Sequence, residues 1–176
     1  MFGKKAKEAE HACCEVPGPA GGTEAAARPA DPAHCPASGT IGLTVELVTV
    51  KALLSGDALR RLDGHAYRFC PAPDCDVVYF DNAAGSAFRK RDLTVRVGQK
   101  ESEDPIPVCY CFGFAVADLR RDLDTRGHSD IPAFIAGQIR AGHCACEVKN
   151  PQGTCCLGNV SKALRQAQAE LATETR

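Results

Sequence analysis

A chain of 176 residues with 44% hydrophobic residues is long enough for one ordinary domain or two small ones. Its eleven cysteines, three tyrosines, seven phenylalanines and lack of tryptophan indicate that disulfides or metal ions supply part of the stability. The formal net charge of −1 provides no electrostatic footprint for nucleic acid or an anionic membrane. No apolar run approaches the ~20 residues that span a bilayer, so we expect neither nucleic-acid binding nor membrane insertion.

The basic N-terminus is not followed by a continuous apolar run, which argues against a secretory signal peptide. We therefore expect a cytoplasmic protein, because reducing compartments keep thiols free and dense cysteine patterns there usually bind metal. The odd number of cysteines also argues against a closed disulfide framework.

The first two segments of the chain differ in composition and periodicity. Residues 1–34 are rich in proline, glycine and alanine, which predicts a flexible tail, and this tail carries the adjacent thiols Cys13 and Cys14. Residues 35–104 show period-two alternation and turn signals, which predict a small antiparallel sheet. The alternating residues are Leu43, Val45 and Leu47, and later Leu93, Val95 and Val97.

Residues 105–176 change to a period of about 3.6 residues, which predicts helices. The overall fold class is therefore α+β, with a β-rich domain followed by a small helical one. Ser129 is a candidate N-cap for the second helix and Gly142 a candidate end. The three apolar stripes are Val116, Leu119 and Leu123; Ile131, Phe134, Ile135 and Ile139; and Val160, Ala163, Leu164, Ala167 and Leu171.

Three closely spaced cysteine motifs lie beside the predicted helices: Cys109-Tyr110-Cys111, Cys144-Ala145-Cys146 and Cys155-Cys156. A C-x-C pair does not readily close a relaxed disulfide, but it can direct two thiolates at one metal centre from a single loop. From spacing alone, an iron–sulfur cluster and a zinc ion are both open, because four thiolates serve either.

The motifs resemble a known family. The stretch Pro107-Val108-Cys109-Tyr110-Cys111, followed by the run from Cys146 to Cys156, is similar to the [2Fe–2S] domain of CopZ-type metallochaperones and of bacterioferritin-associated ferredoxins. The preceding Tyr67-Arg68-Phe69-Cys70 and Cys75-Asp76-Val77-Val78-Tyr79-Phe80 resemble the zinc-binding half of the same family. The resemblance covers roughly residues 35–160 and implies a zinc-binding domain at 35–104 and a [2Fe–2S] domain at 105–176.

The resemblance implies two metal sites. The cluster ligands would be Cys109, Cys111, Cys146 and Cys156. Cys155 competes for the last of these places, and Cys144 competes with Cys146.

For the zinc ion, the resemblance implies Cys35, Cys70 and Cys75 as ligands. The segment Cys35-Pro36-Ala37-Ser38-Gly39 is similar to a Cys-Pro-x-Cys-Gly knuckle, with Ser38 in place of the second cysteine. The fourth ligand is therefore open between His34, His65, Asp76, a water molecule and a tail cysteine.

The function implied is that of a metallochaperone or redox protein that handles a soft ion such as Cu(I) or Hg(II). Its partners would be a metal transporter or a redox protein, and its only chemistry would be one-electron reduction of a metal ion, since no organic active-site motif is present. The chain lacks the C-x-x-C motif with which the family binds copper, so Cys13 and Cys14 are the candidate cargo thiols. The alternatives are an interaction module with two structural zinc ions and a ferredoxin for iron mobilisation.

Overall fold

The computed structural model describes residues 33–64 and 66–174. It contains helices and two antiparallel sheets, which confirms the α+β class. The larger sheet has four antiparallel strands in the order β1-β2-β3-β4, and Phe69 lies opposite both Leu43 and Tyr79. The strands are β1 (Leu43–Val45), β2 (Tyr67–Phe69), β3 (Val77–Asp81) and β4 (Ser86–Arg89).

Two apolar clusters are built on this sheet, and every residue of β3 is buried. The larger cluster joins aromatic residues of the strands to Val50 and Ala58 of two short helices, α1 (Leu47–Leu53) and α2 (Gly56–Leu59). The smaller cluster contains Val77 and Phe80 together with three cysteines. The sheet therefore has hydrophobic packing and a cysteine site as two separate sources of stability.

Two of the expected strand segments were wrong. Leu47 begins α1 instead of continuing β1, and the helix buries Val50 and Leu53 at helical spacing. The segment Leu93–Val97 forms no strand, although Leu93 makes an isolated bridge. Both the backbone N–H and the hydroxyl of Thr94 donate to the last carbonyl of α1, so this segment pairs with a helix end.

The three helices expected in the C-terminal part are confirmed, and their predicted stripes are buried at Leu119, Leu123, Ile131, Ile135, Val160 and Ala167. At the second of them, Asp130 rather than Ser129 takes the N-cap position, while the Ser129 hydroxyl still accepts from the Ile131 N–H. The elements here are β5 (Pro107–Cys109), β6 (Phe114–Ala115), α3 (Val116–Arg126), α4 (Ile131–Arg140), α5 (Cys146–Lys149) and α6 (Leu157–Glu174). In the described part of the chain, no helix has both the length and the apolar character of a membrane span.

The 146–156 segment, which lies between α4 and α6, is attached to the four-stranded sheet and α1. The Thr49 hydroxyl donates to the Glu147 carbonyl at 2.5 Å, and the Tyr79 hydroxyl donates to the Pro151 carbonyl at 2.9 Å. Both donors come from fully buried side chains. These bonds hold the segment that carries Cys146 and Cys156 against the sheet.

We expect Tyr79→Phe to lower the free energy of unfolding by about 1–3 kcal/mol, because it leaves the buried Pro151 carbonyl without its donor. The ring stays in place, so no cavity contributes to the change. The midpoint of urea unfolding, compared with that of the unaltered chain, measures the effect. An unchanged midpoint would show that this contact does not hold the segment to the sheet.

Candidate metal centres

The first centre consists of three buried cysteines from two loops, one before β1 and one between β2 and β3. Cys35 lies in a tight turn closed by its own N–H and C=O, Cys70 directly follows β2, and Cys75 precedes β3. The three sulfurs all lie within 4.8 Å of one another, and Cys35 Sγ is 3.9 Å from Cys75 Sγ. Two thiolates on one tetrahedral ion lie roughly 3.8 Å apart, given metal–sulfur bonds of ~2.3 Å. The donor set therefore fits a single zinc ion.

Ser38 lies beside the three sulfurs of this centre. Its hydroxyl oxygen lies 3.4 Å from Cys70 Sγ, and the turn that brings it there uses Gly39 with a φ of +69°. Neither His34 nor Asp76 has a ligand atom in the three-sulfur group. His65 lies outside the described residues. Three protein sulfurs with a neighbouring hydroxyl leave one coordination position for a water molecule or an exchangeable ligand.

The surroundings of this centre favour the thiolate form of Cys35 and disfavour that of Cys75. Burial would raise the pKa of Cys35, but hydrogen bonds with Ser38 and Ala37 outweigh it and lower that pKa. Burial raises the pKa of Cys75, and its neighbouring thiols add to the shift. A bound cation would overcome this proton affinity, because metal ligation displaces thiol protons.

Lys100 is the one buried lysine or arginine among the described residues, and it lies at this centre. Its Nζ donates to the Ala72 carbonyl at 2.6 Å and to the Cys75 carbonyl at 3.0 Å. Burial lowers the pKa of this ammonium group, and the nearby cysteines oppose the shift. Nothing near Lys100 in the chain distinguishes it from a surface lysine, so the sequence alone does not indicate its position at the centre.

The second centre brings together the four cysteines expected as cluster ligands. Cys109 ends β5, Cys111 follows it in the turn to β6, Cys146 begins α5, and Cys156 directly precedes α6. Cys109, Cys146 and Cys156 are buried in one apolar cluster, against which the half-buried Cys111 packs. Three separate parts of the C-terminal half therefore meet at one place.

The four sulfurs form two pairs. Cys111 Sγ lies 3.6 Å from Cys146 Sγ, and Cys109 and Cys156 are buried in the same cluster, close enough to shift each other's pKa. In the described part of the chain, only the N-terminal centre has three ligand atoms within 4.8 Å of one another. The second centre is thus less compact than a site for one ion, and two pairs of thiolates suit two neighbouring metal ions.

Hydrogen bonds tune the sulfurs of the second centre. The bond from Cys156 lowers the pKa of Cys109, and the same interaction together with burial raises the pKa of Cys156. The Ala145 N–H donates to Cys111 Sγ at 3.3 Å, as expected for an amide that stabilises a thiolate. The four residues are free thiols, so they are available to metal.

The structure separates the two competing cysteines from this set. Cys155 is exposed, whereas its neighbour Cys156 is 2% exposed and lies in the same buried cluster as Cys109. Cys144 is half-buried and packs against the edge of the cluster that contains Cys146. These positions favour Cys156 and Cys146 as the inward-facing thiols. The tail thiols Cys13 and Cys14 lie outside the described residues.

The fold and the two centres define a cysteine-rich metal-binding protein with a zinc-type site on a small sheet and a four-cysteine site among helices. The model of the zf_CopZ family, described as "Zinc binding domain", matches residues 32–94. The copper chaperone CopZ of Archaeoglobus fulgidus is 33% identical over 148 residues, which cover 78% of this chain and 70% of that protein. The chain belongs to the CopZ family.

A solved structure gives the same result for the fold. The X-ray structure of the N-terminal domain of Archaeoglobus fulgidus CopZ aligns with a TM-score of 0.62 and 35% sequence identity. The alignment covers 73% of this chain and 95% of that domain. The described arrangement of sheet and helices is therefore that of a CopZ N-terminal domain.

Proposed function

We propose that this protein is a metallochaperone that handles copper and reduces it with an electron stored on a [2Fe–2S] cluster. The cluster would be held by Cys109, Cys111, Cys146 and Cys156. A zinc ion, held by Cys35, Cys70 and Cys75, would stabilise the sheet domain. The observation that carries the proposal is the convergence of the four C-terminal sulfurs as two pairs.

The pairing supports two iron ions rather than one zinc ion. The Cys111–Cys146 distance of 3.6 Å is close to the roughly 3.8 Å expected for two thiolates on one tetrahedral metal. Cys109 and Cys156 form the other pair, and the two pairs do not merge into one compact group. A two-iron cluster needs this division of ligands, two on each iron.

The surrounding residues support a buried redox centre with one accessible side. Cys109 and Cys156 are almost fully buried, which excludes water from that pair, whereas Cys111 is half-buried. Cys156 directly precedes α6, and the positive end of a helix dipole favours the negative charge of a ligated thiolate. The half-buried side would be the route by which an electron leaves the protein.

Copper as cargo rests on the relative, which is named a copper chaperone. A [2Fe–2S] cluster supplies one electron at a time, and the reduction of Cu(II) to Cu(I) takes one electron. Each Cu(II) ion would gain one electron from the reduced protein and leave as Cu(I), ready for a transporter with soft ligands. The chain contains no C-x-x-C sequence, so cargo binding would use other thiols, with Cys13 and Cys14 as candidates.

The composition of protein purified without oxygen tests this proposal first. We expect one zinc ion, two iron ions and two acid-labile sulfides per chain, with a visible absorption spectrum. Two zinc ions and a colourless protein would instead support the interaction module with structural zinc. The reduced protein should then convert one Cu(II) per cluster to Cu(I), measured anaerobically with a chromogenic Cu(I) chelator. A reduced protein that leaves Cu(II) unchanged but transfers electrons to an iron-storage protein would support the ferredoxin alternative.

A further inference from the structure

The burial of Lys100 needs an explanation, because lysine is almost never buried without a charged partner. The side chain is 6% exposed and belongs to a short 3₁₀ helix, Gly98–Lys100, outside the matched zinc-binding segment. The nearest acidic group along the chain, Glu101, forms ion pairs with Lys90 and Arg96 instead. The Glu101 carboxylate therefore does not balance the charge of Lys100.

The partners of Lys100 indicate a fixed ammonium group aimed at the three-cysteine centre. Two carbonyl oxygens, of Ala72 and Cys75, accept hydrogen bonds from the ammonium group, and the cysteines of the centre lie close enough to favour its charged form. The Nζ also lies 5.8 Å from the centre of the Phe69 ring, whose face favours a cation. The carbonyls hold the group in place, and the sulfurs are the groups that can carry the opposite charge.

We propose that Lys100 is a built-in counter-ion that makes the centre formed by Cys35, Cys70 and Cys75 selective for a divalent ion. Three thiolates around Zn²⁺ leave one net negative charge, and the ammonium group cancels it. Around a trivalent ion the three thiolates are already neutral, so Lys100 leaves an uncompensated positive charge in a buried site. Because charges interact strongly where water is excluded, the lysine favours zinc over a trivalent ion.

This inference rests on the zinc site of the proposed function, and it predicts a change in selectivity rather than a general loss of binding. Arsenite is a suitable probe, because As(III) binds three thiolates and needs no fourth ligand. Zinc released from the full-length, cluster-loaded protein is measured with a chromogenic chelator as arsenite is added. In the proposed function zinc occupies only the three-cysteine centre, so this readout follows that centre.

We expect Lys100→Met to lower the arsenite concentration for half-release of zinc by about tenfold or more, because one unit of charge is removed beside the metal. Lys100→Gln should behave in the same way, since it keeps polar hydrogen bonding without the charge. Lys90→Met is the matched control: its ammonium group bonds to the Lys100 carbonyl and to Glu101. It should leave the arsenite midpoint within twofold of that of the unaltered chain.

The outcomes separate this inference from the proposed function. If either Lys100 variant folds and releases zinc at the same arsenite concentration as the unaltered chain, the counter-ion role is excluded. Equal weakening of both ions, seen as an unchanged midpoint with lower zinc affinity, would also overturn it and leave a purely structural lysine. An unaltered chain that binds no zinc would instead contradict the proposed zinc site itself.

Discussion

Cys109→Ser is expected to remove the visible chromophore of the anaerobically purified protein. Cys109 is 1% exposed and buried in the same cluster as Cys146 and Cys156, so it lies inside the four-sulfur group rather than at its rim. A serine oxygen is a harder and more basic ligand than a thiolate, and it is a poor substitute at an iron–sulfur cluster. The visible spectrum, together with iron and sulfide per chain, measures the loss, and zinc content should stay at one ion.

Cys155→Ser is the matched control for this experiment. Cys155 is adjacent to Cys156 in sequence but exposed, so its replacement should keep the spectrum and the full iron content. Loss of colour in Cys155→Ser but not in Cys156→Ser would show that Cys155, and not Cys156, is the cluster ligand. Colour retained in Cys109→Ser would remove that residue from the ligand set.

The sequence was most informative where a pattern repeats over a long stretch. The stripe of α6, for example, recurs from Val160 to Leu171, and the structure buries Val160 and Ala167 as expected. Three alternating residues at Leu43, Val45 and Leu47 were too few to separate a strand from a helix start. In that case tertiary packing decided, because α1 covers the sheet with Val50.

The cysteine ligands could be proposed from the sequence, but their surroundings could not. Ser38 was visible as a departure from the knuckle pattern, yet its 3.4 Å approach to Cys70 depends on the fold of the turn. Lys100 is 25 residues from Cys75, and no periodicity connects the two. Gly98 shows the same limit: a Cβ there would come 1.8 Å from the Pro107 carbonyl, a close approach that nothing local in the sequence reveals.

The two centres share one structural role. Of the three apolar clusters in the described part of the chain, two contain cysteines, and the 146–156 segment of one half is bonded to Thr49 and Tyr79 of the other. In a protein with few aromatic residues, metal at these points would replace hydrophobic area as a source of stability. Loss of metal from either centre is therefore expected to destabilise both the sheet and the 146–156 segment.

Zinc binding should be abolished by Cys70→Ser and strengthened by Ser38→Cys. Cys70 is fully buried within the three-sulfur group, and a serine there leaves two thiolates, too few for a stable site. Ser38→Cys makes the reverse change, from an oxygen to a sulfur. It places a fourth sulfur where the hydroxyl already lies 3.4 Å from Cys70 Sγ. The pair of variants therefore tests one geometry from both sides.

The magnitudes of these two effects are set by the linkage of metal binding to folding. Structural zinc contributes on the order of 10 kcal/mol in small zinc-dependent domains, so Cys70→Ser should lower the melting temperature of the sheet domain and not only its zinc content. Ser38→Cys should slow zinc transfer to a competing chelator by at least about tenfold, because a closed four-thiolate site lacks an exchangeable position. Chelator competition and circular dichroism melting provide the measurements. A Cys70→Ser protein that keeps one zinc ion at unchanged affinity would show that the metal is held elsewhere.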